Sequence, residues 1–509
     1  GEDACGGCIW LLVGNLARID GTVSATSRTG GAVYLEAGLL AGSGYLTANA
    51  WSHTSSTNLR GGQVAVVYGA LDEQAPFSFD HLQARGALTC STDCGNVQGE
   101  AGTVFYRRAD EEEGVLVLDN GPEHKPTSLE HLLYQPGGGS WTNVDAAAGQ
   151  LTNSVASFSE GSLVGLWLVA DDQEPQERFR VRSHDTTHVW VEDPQGRLGL
   201  VADAGDRYRF ELPLRQLELH NAVRLALHAP LRVAGDVVIT TASVIHGLVT
   251  AGPDTPVPME VHCRRLEVGA LAELSVVGSG YTGARGPGHP GSSWSYGGSH
   301  AGHGTGATSM SLIYGNPLDP LTAGSGGRYG SGGGLLTVNC AEIAVDGLLD
   351  ASAVASSSAG SGGSVALHGQ LLSGAGAILA RGGPGGSYKG GGGRILLDVD
   401  ELDAGFDLAT QLSVAAGGAG AEGGTIYSPW DHLCPGGFVW QEGLCLRALP
   451  TALSWAEAEA ACAALAAGAH LASLQGAGEL HLALHRAQEA AADLWVGLTD
   501  QAVEGTFAW

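Results

Sequence analysis

The sequence predicts a mostly β chain: a parallel β-helix, or solenoid, with an inserted small antiparallel β-domain, then a partial α+β domain. Three observations lead there. Short apolar strands alternate with glycine clusters between Leu336 and Leu397, that stretch recurs near the N-terminus, and helical periodicity enters only after about residue 450.

The ordering stretch reads Leu336-Thr-Val-Asn-Cys340, Ile343-Ala-Val-Asp-Gly347, Gly362-Gly-Ser-Val-Ala-Leu-His368, Gly374-Ala-Gly-Ala-Ile378-Leu-Ala380 and Gly390-Gly-Gly-Gly-Arg394-Ile-Leu-Leu397. Each strand alternates its side chains and ends in a sharp turn. A coil that winds upward, one short strand per side, would bury such a ladder of Val, Ile, Leu and Ala. Residues 30–48 lie over residues 362–380 without a gap, at a shift of 332. Upstream, Ile19-Asp20-Gly21 answers Val345-Asp346-Gly347; downstream, Gly61-Gly-Gln-Val-Ala-Val-Val67 answers Gly392-Gly-Arg-Ile-Leu-Leu-Asp398. Self-similarity on this scale marks a supersecondary unit that needs neighbours to bury its face.

The 509 residues allow two to four domains. Glycine supplies 80 of them, roughly twice the usual share of ~7%. Asp and Glu outnumber Lys and Arg by 53 to 25, and the net charge of −28 argues against a nucleic-acid partner. It suits a self-repelling surface or one that collects divalent cations. No apolar run is long enough to span a bilayer. The first residue is Gly1, without a signal peptide's pattern, so a processed or excised chain is expected. No Asn-X-Ser/Thr sequon occurs.

In chain order, residues 1–100 are expected to hold the first coils and a disulfide loop. Leu11, Val13, Leu16, Ile19, Val23, Val33, Leu35, Leu39 and Leu46 are the expected inward positions. Residues 101–212 hold a linker strand and the inserted domain. Asp110-Glu-Glu-Glu113 reads there as a solvated turn rather than a cation site. Longer, more aromatic strands follow at Leu163–Val169, Arg178–Arg182, His188–Glu192 and Tyr208–Phe210, with polar turns at hairpin spacing. They predict a small antiparallel barrel or sandwich. Residues 213–430 resume the glycine-rich coils, with a long glycine loop at 277–335. In that loop His300 and His303, joined by His289, are metal candidates; packing and hydrogen bonding weigh more heavily for them, since no carboxylate is near in sequence. Three Gly-X-Y triplets are too few for a collagen helix. The matches to G-x-G-x-x-G lack the flanking strand and helix of a phosphate site. The glycines are expected to let the loop lie flat against the coils.

Cysteines stand at 5, 8, 90, 94, 263, 340, 434, 445 and 462. Residues Val261–Val268 superimpose on Val338–Val345, so Cys263 and Cys340 occupy equivalent positions. Neighbouring strands lie ~4.8 Å apart, near the Cα separation a disulfide tolerates, and a Cys263–Cys340 bridge is expected. Cys90 and Cys94 would close a tight loop. Cys5 and Cys8 either pair or belong elsewhere, and a zinc site lacks the further ligands of a known spacing. Paired cysteines point to an oxidising, extracellular or cell-surface setting.

Two resemblances follow. Gly297-Gly-Ser-His-Ala-Gly-His-Gly304, Tyr314-Gly-Asn-Pro317, Gly324-Ser-Gly-Gly327 and the strands of 345–367 resemble the glycine-rich β-helical regions of large secreted surface and adhesin-like proteins. That resemblance implies a structural or adhesive role and no catalytic residue. Cys434-Pro-Gly-Gly-Phe438, Gly443-Leu-Cys445, Ser454-Trp-Ala-Glu-Ala458, Cys462, Gly468-Ala-His-Leu-Ala-Ser-Leu474, Trp495-Val-Gly-Leu498 and Glu504-Gly-Thr-Phe-Ala-Trp509 resemble the N-terminal part of a C-type lectin-like domain, assigned to 431–509. The resemblance implies a first helix at 455–467 capped by Ser454, a second near 476–490, and a Cys434–Cys445 disulfide. It also implies a partner for Cys462 near the domain's end, which the sequence lacks. The Glu-Pro-Asn or Gln-Pro-Asp and Trp-Asn-Asp segments that hold calcium and sugar are missing too. Either the chain is a fragment, or another subunit completes the fold.

The resulting expectation is a non-enzymatic extracellular structural protein, a filament or appendage subunit polymerising through open β-edges. The alternative is an adhesin stalk whose lectin-like module binds glycan or protein. A remote third reading, a polysaccharide-degrading enzyme, needs paired acids on one face; Asp20 and Asp346 suit turn-making better. Expected partners are further copies or other surface proteins, and glycans. No catalytic residue, cofactor or metal ligand is assigned, and calcium is an option without an identifiable ligand set.

Overall fold

The computed structural model describes residues 7–50, 60–87, 99–122, 131–132, 138–159, 163–174, 176–227, 229–247, 255–289, 296–306 and 312–428. In the C-terminal part it describes 439–441, 444–446, 449, 451, 453–465, 469–473, 480 and 483. Compactness divides the chain into two units. One is Gly1–Ser243 with His262–Arg264, the other Val244–Val261 with Arg265–Trp509. No helix among the described residues is long and apolar enough to cross a membrane.

In the first unit, Cys8–Arg18, Ala32–Ala41 and Gln63–Leu71 stack as parallel strands in the register Leu11, Leu35, Val66. A shorter parallel ladder, Thr22–Ser24, Tyr45–Thr47 and Leu82–Gln83, follows from the same repeats. Side chains alternate along a strand, so Val33, Leu35 and Ala37 line up with Val64 and Val66 in one buried row. Thr103–Arg108 joins the long ladder in parallel, turns back antiparallel into Gly114–Asp119, and Leu214–His220 pairs parallel with the latter. The acidic run Asp110–Glu113 therefore sits at a hairpin turn, where Arg108 bonds Asp110 at 2.8 Å.

Two of the expected inward positions are corrected. Leu16 is 46% exposed while Ala17 is buried, and Leu40 rather than Leu39 enters the core. The register slips between Val13 and Leu16. One extra residue at the bend moves every later side chain to the opposite face. The other unit repeats the step. In Leu335–Val345 the buried row runs Leu336, Val338, Cys340 and then, after three residues, Ile343 and Val345.

The antiparallel part of the first unit is a seven-stranded sheet. Its order is Gly139–Ser140, Arg207–Glu211, Trp167–Val169, Arg178–His184, His188–Glu192, Gln150–Thr152, Asn143–Asp145. Among the described residues its end strands are not paired with each other and no closed barrel is formed; they are consecutive parts of the segment 139–145. Trp141 stacks on Tyr208 at 3.8 Å, and its indole N–H donates to the Ala170 carbonyl at 2.9 Å. Both partners are buried, and the hydrogen bond removes the cost of hiding the polar atom.

In the second unit, Leu335–Val345, Ser364–Ser373, Arg394–Leu402 and Thr425–Ser428 form a parallel ladder. A second parallel ladder joins Val244–Gly247, Glu273–Ser275, Leu348–Asp350, Ala377–Leu379 and Leu412–Ser413. The internal match at a shift of 332 is structural as well: Val33 and Val365, Leu35 and Leu367, Leu40 and Leu372, Leu46 and Ile378 are all buried.

The corners match too. Gly42 and Gly374 adopt φ of +108° and +105°. A Cβ there would stand 2.1 Å from the Ile19 carbonyl oxygen and 2.2 Å from that of Val345. Beside them the Ser43 amide donates to Asp20 at 3.4 Å, and the Ala375 amide to Asp346 at 3.0 Å. The recurrent Asp-Gly pairs thus make turns. Gly42→Ala and Gly374→Ala are each expected to cost about 2 kcal/mol or more, from positive φ and steric overlap together. Urea denaturation of each variant against the parent checks this.

Candidate functional site

The second unit holds the largest concentration of buried polar chemistry, and glycine makes it reachable. Within the stretch 277–335 the backbone packs against itself: a Cβ on Gly280 would lie 2.2 Å from the Gly333 oxygen, and one on Gly326 2.0 Å from that of Thr282. The Tyr281 amide donates to Gly324, and those of Gly324 and Gly332 to Gly333 and Tyr281, at 2.8–3.0 Å.

Through this layer run two buried side chains, His300 and Arg394, and the half-buried Tyr314. The His300 ring nitrogens lie 2.9 Å from the Gly362 carbonyl and 2.9 Å from the Thr322 hydroxyl, and the ring tilts over Tyr314 at 4.7 Å. The Tyr314 hydroxyl donates to the Ala323 carbonyl at 2.7 Å and accepts from Ser325 at 2.8 Å. Arg394 donates from Nη1 to Thr425 Oγ1 and from Nη2 to the Tyr314 carbonyl, both at 2.9 Å. Burial pushes the Arg394 guanidinium down to about 10 and the Tyr314 phenol up. The arrangement pins the glycine layer to the strands beneath it.

His303 differs from the expectation. A carboxylate does reach it: Glu422 Oε2 lies 3.0 Å from its Nδ1, and the Glu422 amide donates to the His303 carbonyl at 2.8 Å. The two are 119 positions apart, so no local spacing announces the pair. Among the described residues no three His, Cys, Asp or Glu side chains are placed to hold a metal ion.

The first unit has its own buried charge. Glu211, 3% exposed, receives Arg209 at 3.0 Å, Arg232 at 2.9 Å and Arg178 at 3.7 Å. Arg209 also bonds Asp172 at 2.6 Å. Three guanidinium groups around one carboxylate offset part of its desolvation, and removing the carboxylate leaves them uncompensated. Nothing in the local sequence around Glu211 signals this convergence.

At the C-terminus, Trp455–Leu465 is the expected helix. The Ser454 amide and hydroxyl donate to Glu457 Oε2 at 2.9 and 2.6 Å, and the Glu457 amide returns a bond to Ser454 Oγ at 3.4 Å. This reciprocal cap satisfies two orphan donors and starts the helix at that point. Glu459, from the same helix, accepts the Leu471 amide at 2.8 Å. Ahead of it, Val439–Gln441 and Leu444–Leu446 form a hairpin. Cys462 is a half-buried free thiol, its pKa raised by burial, and Cys8 is an exposed one.

Cys263 and Cys340 are both disulfide-bonded. Cys5, Cys90, Cys94 and Cys434, the Cys445 side chain, and nearly all of the second expected lectin-like helix lie outside the described residues.

Arg394→Lys removes the fork that reaches Thr425 and Tyr314 together. It is expected to lower stability by about 1–3 kcal/mol, read as a fall in the denaturation midpoint.

The comparisons with known proteins fall on this C-terminal segment. Residues 451–509 match the family model described as Lectin C-type domain. A snaclec salmorin chain of Gloydius brevicauda is 32% identical over 78 residues, which are 14% of this chain and 51% of that protein. Lectin BRA-3 of Megabalanus rosa is 36% identical over 78 residues, 15% of this chain and 47% of that protein. The chain spans about half the length of these curated relatives. No solved structure is significantly similar to it. Residues 451–509 are thus similar to the lectin C-type domain, and they stand after a glycine-rich, parallel-stranded region.

Proposed function

We propose that this protein is an extracellular adhesin in which a glycine-rich parallel β-helix carries a C-type lectin-like module that binds carbohydrate or protein. The match of residues 451–509 to the lectin C-type domain carries the reading, because it is the part of the chain with a recognition family behind it. The Ser454–Glu457 cap and the Val439–Leu446 hairpin support a folded module there. The β-helix is supported by parallel ladders whose long strands change phase at a bend. Disulfide-bonded Cys263 and Cys340 support an oxidising compartment and hence a secreted or cell-surface location. The four-segment organisation and a non-enzymatic role belong to the same reading. No residue of this chain is assigned to calcium or sugar.

The full chain, displayed on glycan and protein arrays with and without a chelator, is expected to bind a ligand. An antibody against 451–509 is expected to block that binding. Absence of binding, or binding indifferent to the antibody, removes the adhesin reading. The filament-subunit reading draws on one observation, the edge of Cys8–Arg18 that is open among the described residues. Pairing of Cys263 with Cys340, which rests on their equivalent strand positions, predicts one cross-linked peptide in a non-reducing digest. Separate partners for the two cysteines would refute it.

A further inference from the structure

The strand Cys8–Arg18 stands at the end of its ladder, hydrogen-bonded to a neighbour on one side only among the described residues. Its inner row, Ile9, Leu11 and Val13, is half-buried, whereas the equivalent Val33, Leu35 and Ala37 one repeat later are buried. Glycine placement adds an independent argument. In the following repeats a Cβ on Gly31, Gly38 or Gly44 would meet the backbone oxygen of Gly7, Gly14 or Gly21, at 2.3, 2.8 and 2.0 Å. Next, Gly62 and Gly69 face Gly31 and Gly38 in the same way, at 1.9 and 2.5 Å. In the other unit Gly363, Gly393 and Gly424 face Gly334, Gly363 and Gly393 at 1.8–2.1 Å. At each of these positions glycine is required because the preceding repeat presents its carbonyl there.

Gly7, Gly14 and Gly21 occupy those positions in the first repeat, yet a Cβ on any of them meets nothing within 4 Å among the described residues. None adopts the positive φ that would itself demand glycine. Nothing in the described chain uses them as glycines.

We propose that Cys8–Arg18 is an interior strand, and that its open edge is covered by a preceding parallel coil of the same polypeptide, N-terminal to Gly1. The chain enters the strand through Gly6-Gly7, the dipeptide by which it also enters later long strands at Gly30-Gly31, Gly61-Gly62, Gly362-Gly363 and Gly392-Gly393. A second copy fits less well. The outer edge of Thr425–Ser428 is taken by the antiparallel strand Val439–Gln441, so that end offers no parallel edge among the described residues. Twofold pairing of Cys8–Arg18 with itself would be antiparallel and would leave the glycine positions unused.

Two measurements test this. Intact mass and N-terminal peptides of the native polypeptide from its source are expected to extend upstream of Gly1; a native chain starting at Gly1 overturns the proposal. The triple variant Gly7→Ala, Gly14→Ala, Gly21→Ala is then compared in the 509-residue chain and in the native-length chain. Its melting temperature is expected to be unchanged or slightly raised in the former and lowered by roughly 3 °C or more in the latter. An equal response in both overturns the proposal. So does a 509-residue chain that sediments as a multimer and is dissociated by the triple variant, an outcome that assigns the edge to a second copy.

Discussion

The contact on which this structure depends is the approach of a backbone carbonyl to a glycine Cα on the next repeat. Strands in a parallel ladder must stay about 4.8 Å apart through every bend. At the bends the backbone leaves its pleat, and a carbonyl points where a neighbouring Cβ would otherwise be. Only glycine removes the conflict, so the residue recurs in columns: Gly7, Gly31, Gly62, Gly102 in one unit and Gly334, Gly363, Gly393, Gly424 in the other. The high glycine content is therefore a packing requirement. It does not mark flexibility, and the apolar share of 44% is kept for the rows between the bends.

Glycine lowers stability through the freedom it gives the unfolded chain. The structure offsets this with hydrogen-bonded anchors placed where glycine leaves room. Arg394 carries a charge into a buried layer and holds it through a hydroxyl and a carbonyl. His300 and Tyr314 complete the layer with both imidazole nitrogens and the phenol engaged. Each anchor ties residues of the 296–325 stretch to a long strand or to one another.

Much of this is legible in the sequence. Alternating apolar residues locate the long strands, the 332-residue shift locates equivalent corners, and Asp20 and Asp346 stand out as turn residues. The superposition of Val261–Val268 on Val338–Val345 singles out Cys263 and Cys340, both of them disulfide-bonded. The signals that fail are those in which a local pattern is broken by a bend or completed from far away. Period-two alternation carries no mark of the extra residue that turns Leu40 inward and leaves Leu39 outside the core. The His303–Glu422 pair and the Arg178, Arg209 and Arg232 convergence on Glu211 join residues whose spacing in sequence means nothing until the ladders form. The lectin-like helix is readable because its cap is local: Ser454 and Glu457 are three residues apart.

On the adhesin reading proposed above, that contrast separates carrier from recognition module. The repeats engage polar side chains internally: His300, Tyr314 and Arg394 make hydrogen bonds, and the charges at the bends close turns. Recognition, on that same reading, lies in a segment of different physics, with a capped helix and a short antiparallel hairpin. The change in character near residue 430, from glycine columns to an alanine-rich capped helix, is where the chain makes that addition.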